Sequence, residues 1–145
     1  MARIAYLGPE GTFSEAALIQ MAAAGLVPTA PGTATPAVET LTTDSTPAAL
    51  NAVRDGSADY ACVPIENSID GTVLPTLDNL ATGTPLQVFA ELTLDVDFSI
   101  VVGPGTTADD VRTVAAFPVA AAQVRHWLAE HLPAAQVVAA ISNAA

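Results

Sequence analysis

The chain has 145 residues, 51% hydrophobic and 13% charged, enough for one ordinary domain or two small lobes with a buried core. Its formal net charge of −11 repels polyanions, which argues against nucleic acid and an anionic membrane surface as partners. The cations are Arg3, Arg54, Arg112 and Arg125, with no lysine, so an anionic ligand must be held mainly by backbone N–H groups, helix N-termini or neutral side chains.

Met1-Ala2-Arg3 leads into Ile4-Ala5-Tyr6-Leu7, a short buried strand too brief for a signal-peptide core. Thr12-Phe13-Ser14-Glu15 then supplies a capping box for a helix running to about Ala24, with Gly25 as its stop and Met21 as core filler. Pro28 to Pro36 has neither helical nor strand period and reads as a surface loop. Val38 to Thr42 forms a second strand, Thr46-Pro47 opens a second helix closed by Gly56, and Ala58 to Val63 is a third strand. Strand and helix alternate, which predicts an α/β fold of βαβ units around a mainly parallel sheet. Cys62 is the sole cysteine, which excludes an intramolecular disulfide and fits a reducing cytoplasm; it reads as a small buried hydrophobe.

From Val88 to Val102 apolar residues occupy even positions (Val88, Ala90, Leu92, Leu94, Val96, Phe98, Ile100, Val102), while Asp95 and Asp97 fall on the solvated face. An extended run of that length reaches about 50 Å, so it is expected to leave one lobe and enter another. The expected organisation is a first lobe over 1–87, a crossing strand or hinge over 88–102 and a second lobe over 103–145. In the second lobe Thr107-Ala108-Asp109-Asp110 caps a short helix, Thr113 to Ala116 is a strand, Pro118 to about His131 a helix, and Gln136 to Ile141 a strand. Trp127 and Leu128 are expected to pack that helix on its sheet. His126 and His131 lie about 140° apart around it and cannot readily share a metal ion, and no metal site is expected elsewhere. Val137 to Ile141 followed by Ser142-Asn143-Ala144-Ala145 echoes Val38 to Leu41 followed by Ser45-Thr46-Pro47-Ala48-Ala49, which suggests a lobe left unfinished at the C-terminus.

Two constellations carry chemistry. Gly8-Pro9-Glu10-Gly11-Thr12-Phe13 sits between a strand and a helix, where backbone amides can seat a carboxylate; the other reading is that Thr12 and Glu15 do no more than cap, and Gly11 no more than turn. It is neither a dinucleotide fingerprint nor a Walker loop. Val63-Pro64-Ile65-Glu66-Asn67-Ser68-Ile69-Asp70-Gly71-Thr72-Val73 runs from a strand end to a helix starting near Thr72 or Val73. Here Glu66 can act as acid, base or anchor, and Asn67 and Ser68 can donate to an anion; an ordinary turn-and-cap set is the other reading.

Both runs, their order and the flanking Ala58-Asp59-Tyr60-Ala61-Cys62-Val63 resemble prephenate dehydratase, along nearly all of the chain. The resemblance implies a two-lobed fold similar to type II periplasmic binding proteins, incomplete at the C-terminus, with the substrate between the lobes. It implies a carbon–oxygen lyase that converts prephenate to phenylpyruvate on the route to phenylalanine, without cofactor, as a homo-oligomer in the complete protein. Matched position by position, Gly11, Thr12 and Phe13 fall on the family's first substrate-binding motif, and Pro64, Glu66, Asn67, Ser68, Gly71 and Thr72 on its second. Thr12, Asn67 and Ser68 are assigned to substrate hydrogen bonding, and Glu66 is the candidate catalytic carboxylate.

The family's Ser-His-Pro step is replaced by Ala116-Phe117-Pro118, and its Thr-Arg-Phe motif, bearing the leading candidate for the acid, lies beyond Ala145. The 145-residue chain alone is therefore expected to be inactive. The family's phenylalanine-binding ACT domain and N-terminal mutase helix also have no counterpart in these residues. The rival from another class is a two-lobed small-anion binding module without catalysis, and a third is a nonenzymatic fragment that only associates with a partner.

Overall fold

The computed structural model describes residues 1–28 and 38–140. Most of the expected Pro28–Pro36 loop, the end of the strand expected to reach Ile141, and the echo at Ser142–Ala145 lie outside them. The chain divides into two compact units, Met1–Asp95 and Val96–Ala145.

The first unit is built on a parallel sheet of β1 (Ala2–Leu7), β2 (Val38–Thr43) and β3 (Tyr60–Cys62), in the order β2-β1-β3. Tyr6 lies opposite Thr42 on one side and Cys62 on the other. The apolar run of β1 suits its central place, because both faces are covered. Ile4 and Tyr6 pack with Leu18, Met21 and Ala22 of α1 (Phe13–Ala23), while Ala5 packs on the opposite face with Ala49 and Ala52 of α2 (Thr46–Arg54). Alternation along a six-residue strand thus sends one core to each side.

Local signals set the helix ends. The Thr12 hydroxyl accepts from the Glu15 N–H at 3.4 Å to start α1, and Gly25 turns the chain at φ 70°. The Ser45 hydroxyl accepts from the Ala48 N–H at 3.2 Å and caps α2, which opens at Thr46 as expected. The third strand is shorter than expected. Beyond it, β4 (Glu66–Asn67) and β5 (Gly71–Thr72) form a small antiparallel hairpin, and the helix expected near Thr72 or Val73 follows as α3 (Leu74–Ala81), with Val73 as its N-cap.

The alternating segment Val88–Val102 forms no strand. Its period survives in exposure only in part: Ala90, Leu92, Leu94 and Phe98 are half-buried between exposed Glu91, Thr93, Asp95 and Asp97, whereas Val88, Val96, Ile100 and Val102 are themselves exposed. Alternation determines which side chains face the protein, but a ladder also needs a partner backbone, which no described strand provides. Phe89 meets Tyr60 of β3 edge-on, with ring centroids 5.2 Å apart.

In the second unit the Thr107 capping box forms over a 3₁₀ turn, Ala108–Asp110. A parallel pair follows, β6 (Thr113–Ala116) with β7 (Gln136–Ala139). The single helix expected from Pro118 to His131 is two, α4 (Pro118–Gln123) and α5 (Arg125–His131), because Val124 adopts φ −98° and ψ 6° between them. The adjacent residues expected to pack α5 have different surroundings: Leu128 is buried, whereas Trp127 is 48% exposed and stacks on His131 with ring centroids 4.4 Å apart.

Candidate functional site

Parallel pairing places the C-terminal ends of β1, β2 and β3 on one edge of the first sheet, and both candidate constellations leave from that edge. Gly8–Thr12 follows β1 and Val63–Thr72 follows β3, its immediate neighbour. The N-termini of α1 and α2 reach the same edge, so their unpaired amides make it the favourable end for negative charge. The thiol of Cys62 lies 3.8 Å from the Ser14 carbonyl, joining the end of β3 to the first turn of α1. Burial pushes that thiol's pKa up.

The first loop is held from inside. Thr12 donates its hydroxyl to the Leu7 carbonyl at 3.1 Å while capping α1. Glu15 reaches back one residue further than a simple capping box requires: its Oε2 accepts from the Gly11 N–H at 2.6 Å. Its Oε1 accepts from the hydroxyl of Tyr6, which is fully buried, at 3.3 Å. Burial, followed by the negative charges of Glu15 and Glu10, raises the Tyr6 pKa. The Gly11 amide is thus occupied by a carboxylate of the chain itself. Gly11 has φ 82°, and a Cβ added there would meet nothing within 4 Å, so backbone conformation rather than crowding requires glycine. Phe13 opens α1 with its side chain 46% exposed.

The second segment crosses the edge as the β4–β5 hairpin. Asn67 Oδ1 accepts from the Ile69 N–H at 2.9 Å and the Asp70 N–H at 3.2 Å, an Asx turn that closes the hairpin. Gly71 takes φ 74° where the chain returns. Glu66, Ser68 and Thr72 are exposed, Pro64 and Asn67 half-buried. Two bonds fix the base of the hairpin: the Val73 N–H donates to the Ile65 carbonyl at 2.9 Å, and the Thr76 hydroxyl donates to the Pro64 carbonyl at 2.8 Å. The turn and the exposed polar side chains coexist, since Asn67 shapes the loop that carries Glu66 and Ser68 outward.

Neither arginine of the first unit serves this edge. Arg3 lies in β1 near the opposite edge and pairs with Glu39 at 2.9 Å. Arg54 ends α2 and commits all five guanidinium N–H groups to Asn51, Asn79, Thr82 and Thr84. The chemistry that the first unit itself supplies at its carboxyl edge is therefore that of amides, hydroxyls and carboxylates. Two hollows lie elsewhere: one of about 160 Å³ beside Arg3, Glu39 and Asp59, and one of about 490 Å³ in the second unit beside Arg125, Leu128, Leu132 and Val137. Among the described residues no three His, Cys, Asp or Glu side chains converge as a metal site, and no helix is long and apolar enough to cross a membrane.

The sequence signals Glu15 as a cap but not its hold on Gly11 and Tyr6, and it does not signal Thr76 at all. The spacing Thr12–Glu15 points to the first; nothing local points to the second, whose partner lies twelve residues away.

The family model described as prephenate dehydratase matches residues 4–145. The chain is 72% identical over 144 residues to a prephenate dehydratase of Mycobacterium tuberculosis (strain ATCC 25618 / H37Rv), and 70% identical over 144 residues to one of Mycobacterium leprae (strain TN); each match covers 99% of this chain. It spans 44% of the length of these curated relatives. Among solved structures, a prephenate dehydratase from Arthrobacter aurescens in complex with L-Phe superposes with a TM-score of 0.76 at 39% identity, covering 98% of this chain and 43% of that one.

Proposed function

The chain belongs to the prephenate dehydratase family, and we propose that it contributes the substrate-holding edge of such an enzyme, within a two-lobed fold similar to type II periplasmic binding proteins. The observation that carries this reading is the common departure of both family motifs from the carboxyl ends of adjacent strands, β1 and β3, the end at which open parallel sheets bind ligands.

In the proposed reaction the bond between the ring carbon and its carboxylate breaks, and CO₂ leaves. That electron pair moves through the ring and expels the ring hydroxyl, which takes a proton from an acid and departs as water. The product is phenylpyruvate, and aromatisation drives the step. The protein's task is then pose and proton supply rather than covalent chemistry. Ser68 supplies its hydroxyl to a substrate carboxylate, Thr12, whose own proton is donated to the Leu7 carbonyl, holds the first loop against the substrate, Asn67 shapes the turn and offers its amide, and Gly11, Phe13, Pro64, Gly71 and Thr72 form the surrounding wall. Glu66 is the carboxylate of this edge assigned to the departing hydroxyl. No cofactor enters this scheme, and the site of action proposed is the cytoplasm.

Ser68→Ala gives the cleanest test, because this exposed hydroxyl has no structural bond among those described. Calorimetric titration with prephenate should show the dissociation constant rise about tenfold, the worth of one hydrogen bond to a charged group. Unchanged affinity, or equal binding of unrelated amino acids, would overturn the assignment.

A further inference from the structure

We propose that Thr76 is a positioning residue for the hairpin that carries Glu66, Asn67 and Ser68; the proposal rests on the functional reading of that hairpin. Thr76 is fully buried, one of two buried threonines among the described residues. A threonine near the start of a helix ordinarily bonds within its own turn or faces water. The hydroxyl of Thr76 instead crosses to the Pro64 carbonyl at 2.8 Å.

Pro64 opens the candidate segment, and the position of its carbonyl sets the direction in which Ile65 and Glu66 leave β3. One residue on, the Ile65 carbonyl accepts from Val73, the N-cap of α3. The hairpin is therefore clamped at its base by two successive carbonyls, one met by backbone and one by a side chain. Its tip is closed by Asn67. Arg54 holds the other end of the same helix, donating to the Asn79 and Thr82 carbonyls at 2.8 and 3.0 Å. With its C-terminal end fixed, α3 cannot shift to restore a lost bond at its start, so removal of the Thr76 hydroxyl leaves the Pro64 carbonyl without that donor.

The test compares Thr76→Val, Thr76→Ala and Thr76→Ser with Val27→Ala, a control that weakens the core on the other face of β1, with Ile4, Tyr6 and Leu18. Amide exchange is measured at Val73, Ile69 and Asp70, with prephenate affinity measured in parallel. Val and Ala should each speed exchange at these amides about tenfold and weaken prephenate binding, Ser should restore both, and Val27→Ala should lower the melting temperature while leaving the hairpin amides unchanged relative to global unfolding. Either Val or Ala suffices if the other does not fold. Hairpin exchange that follows global stability equally in the Thr76 variants and the control would overturn the proposal. The exchange result stands independently of ligand, so a chain that binds no prephenate while its hairpin loosens as expected would refute the functional reading and leave the positioning role intact.

Discussion

The two units bury their strands to very different degrees. In the first, Ile4, Ala5 and Tyr6 of the central strand are at most 3% exposed, because a helix covers each face. In the second, every residue of β7 is exposed, Val137 and Val138 at 48% and 43%, although their sequence is as apolar as that of β1. Apolar composition makes a strand buryable; only neighbouring layers bury it, and a two-stranded pair by itself has none to spare.

Three measurements sharpen this contrast. The largest effect is expected from Leu50→Ala, which empties a site 4% exposed in the first unit and should cost ~3 kcal/mol in denaturant unfolding; Val138→Ala in the second should cost under ~0.5 kcal/mol. Equal losses would erase the distinction. Next, Arg54→Leu should cost the first unit about 2 kcal/mol, since it strips several charge-assisted bonds from a half-exposed position, and amide exchange should quicken in α3 but not in β6.

The smallest effect is the pH dependence. Tyr6 and Cys62, both in the first unit, have pKa values raised by burial. Their contribution is complete below the unfolded values, near 8.5 for a thiol and 10 for a phenol, and is lost as pH rises through the higher folded values. The unfolding midpoint of the first unit should therefore decline from about pH 9 upward. Asp110 in the second unit has its pKa lowered by hydrogen bonds from Thr107, so its contribution is lost as pH falls below about 4. Melts followed across this range should show an alkaline limb at the Tyr6 environment, and Cys62→Ala should shallow it.

Sequence was informative wherever a signal and its partner lie within one turn of chain. The Thr12, Thr46–Pro47 and Thr107 helix starts, the glycine stop at Gly25 and the parallel βαβ order all follow from such signals. The candidate motifs were legible as motifs, but whether Asn67 turns the chain or faces a ligand was not, because one side chain can do both with different atoms. Val88–Val102 shows the limit from the other side: its period of two appears in exposure only around Ala90–Leu94, and no ladder accompanies it. Val124 shows another, since the apolar pattern of Pro118–His131 runs unbroken through the residue at which the helix divides.

What the residues determined unaided is family membership, the order of elements and the cation-poor composition that leaves anion binding to amides and hydroxyls. The tertiary structure alone decided that Glu15 joins Gly11 to Tyr6, that Arg54 is spent on α3, and that Thr76 meets Pro64. Hydrogen bonds are short and directional, so their partners are chosen only when the fold has brought distant backbone within about 3 Å.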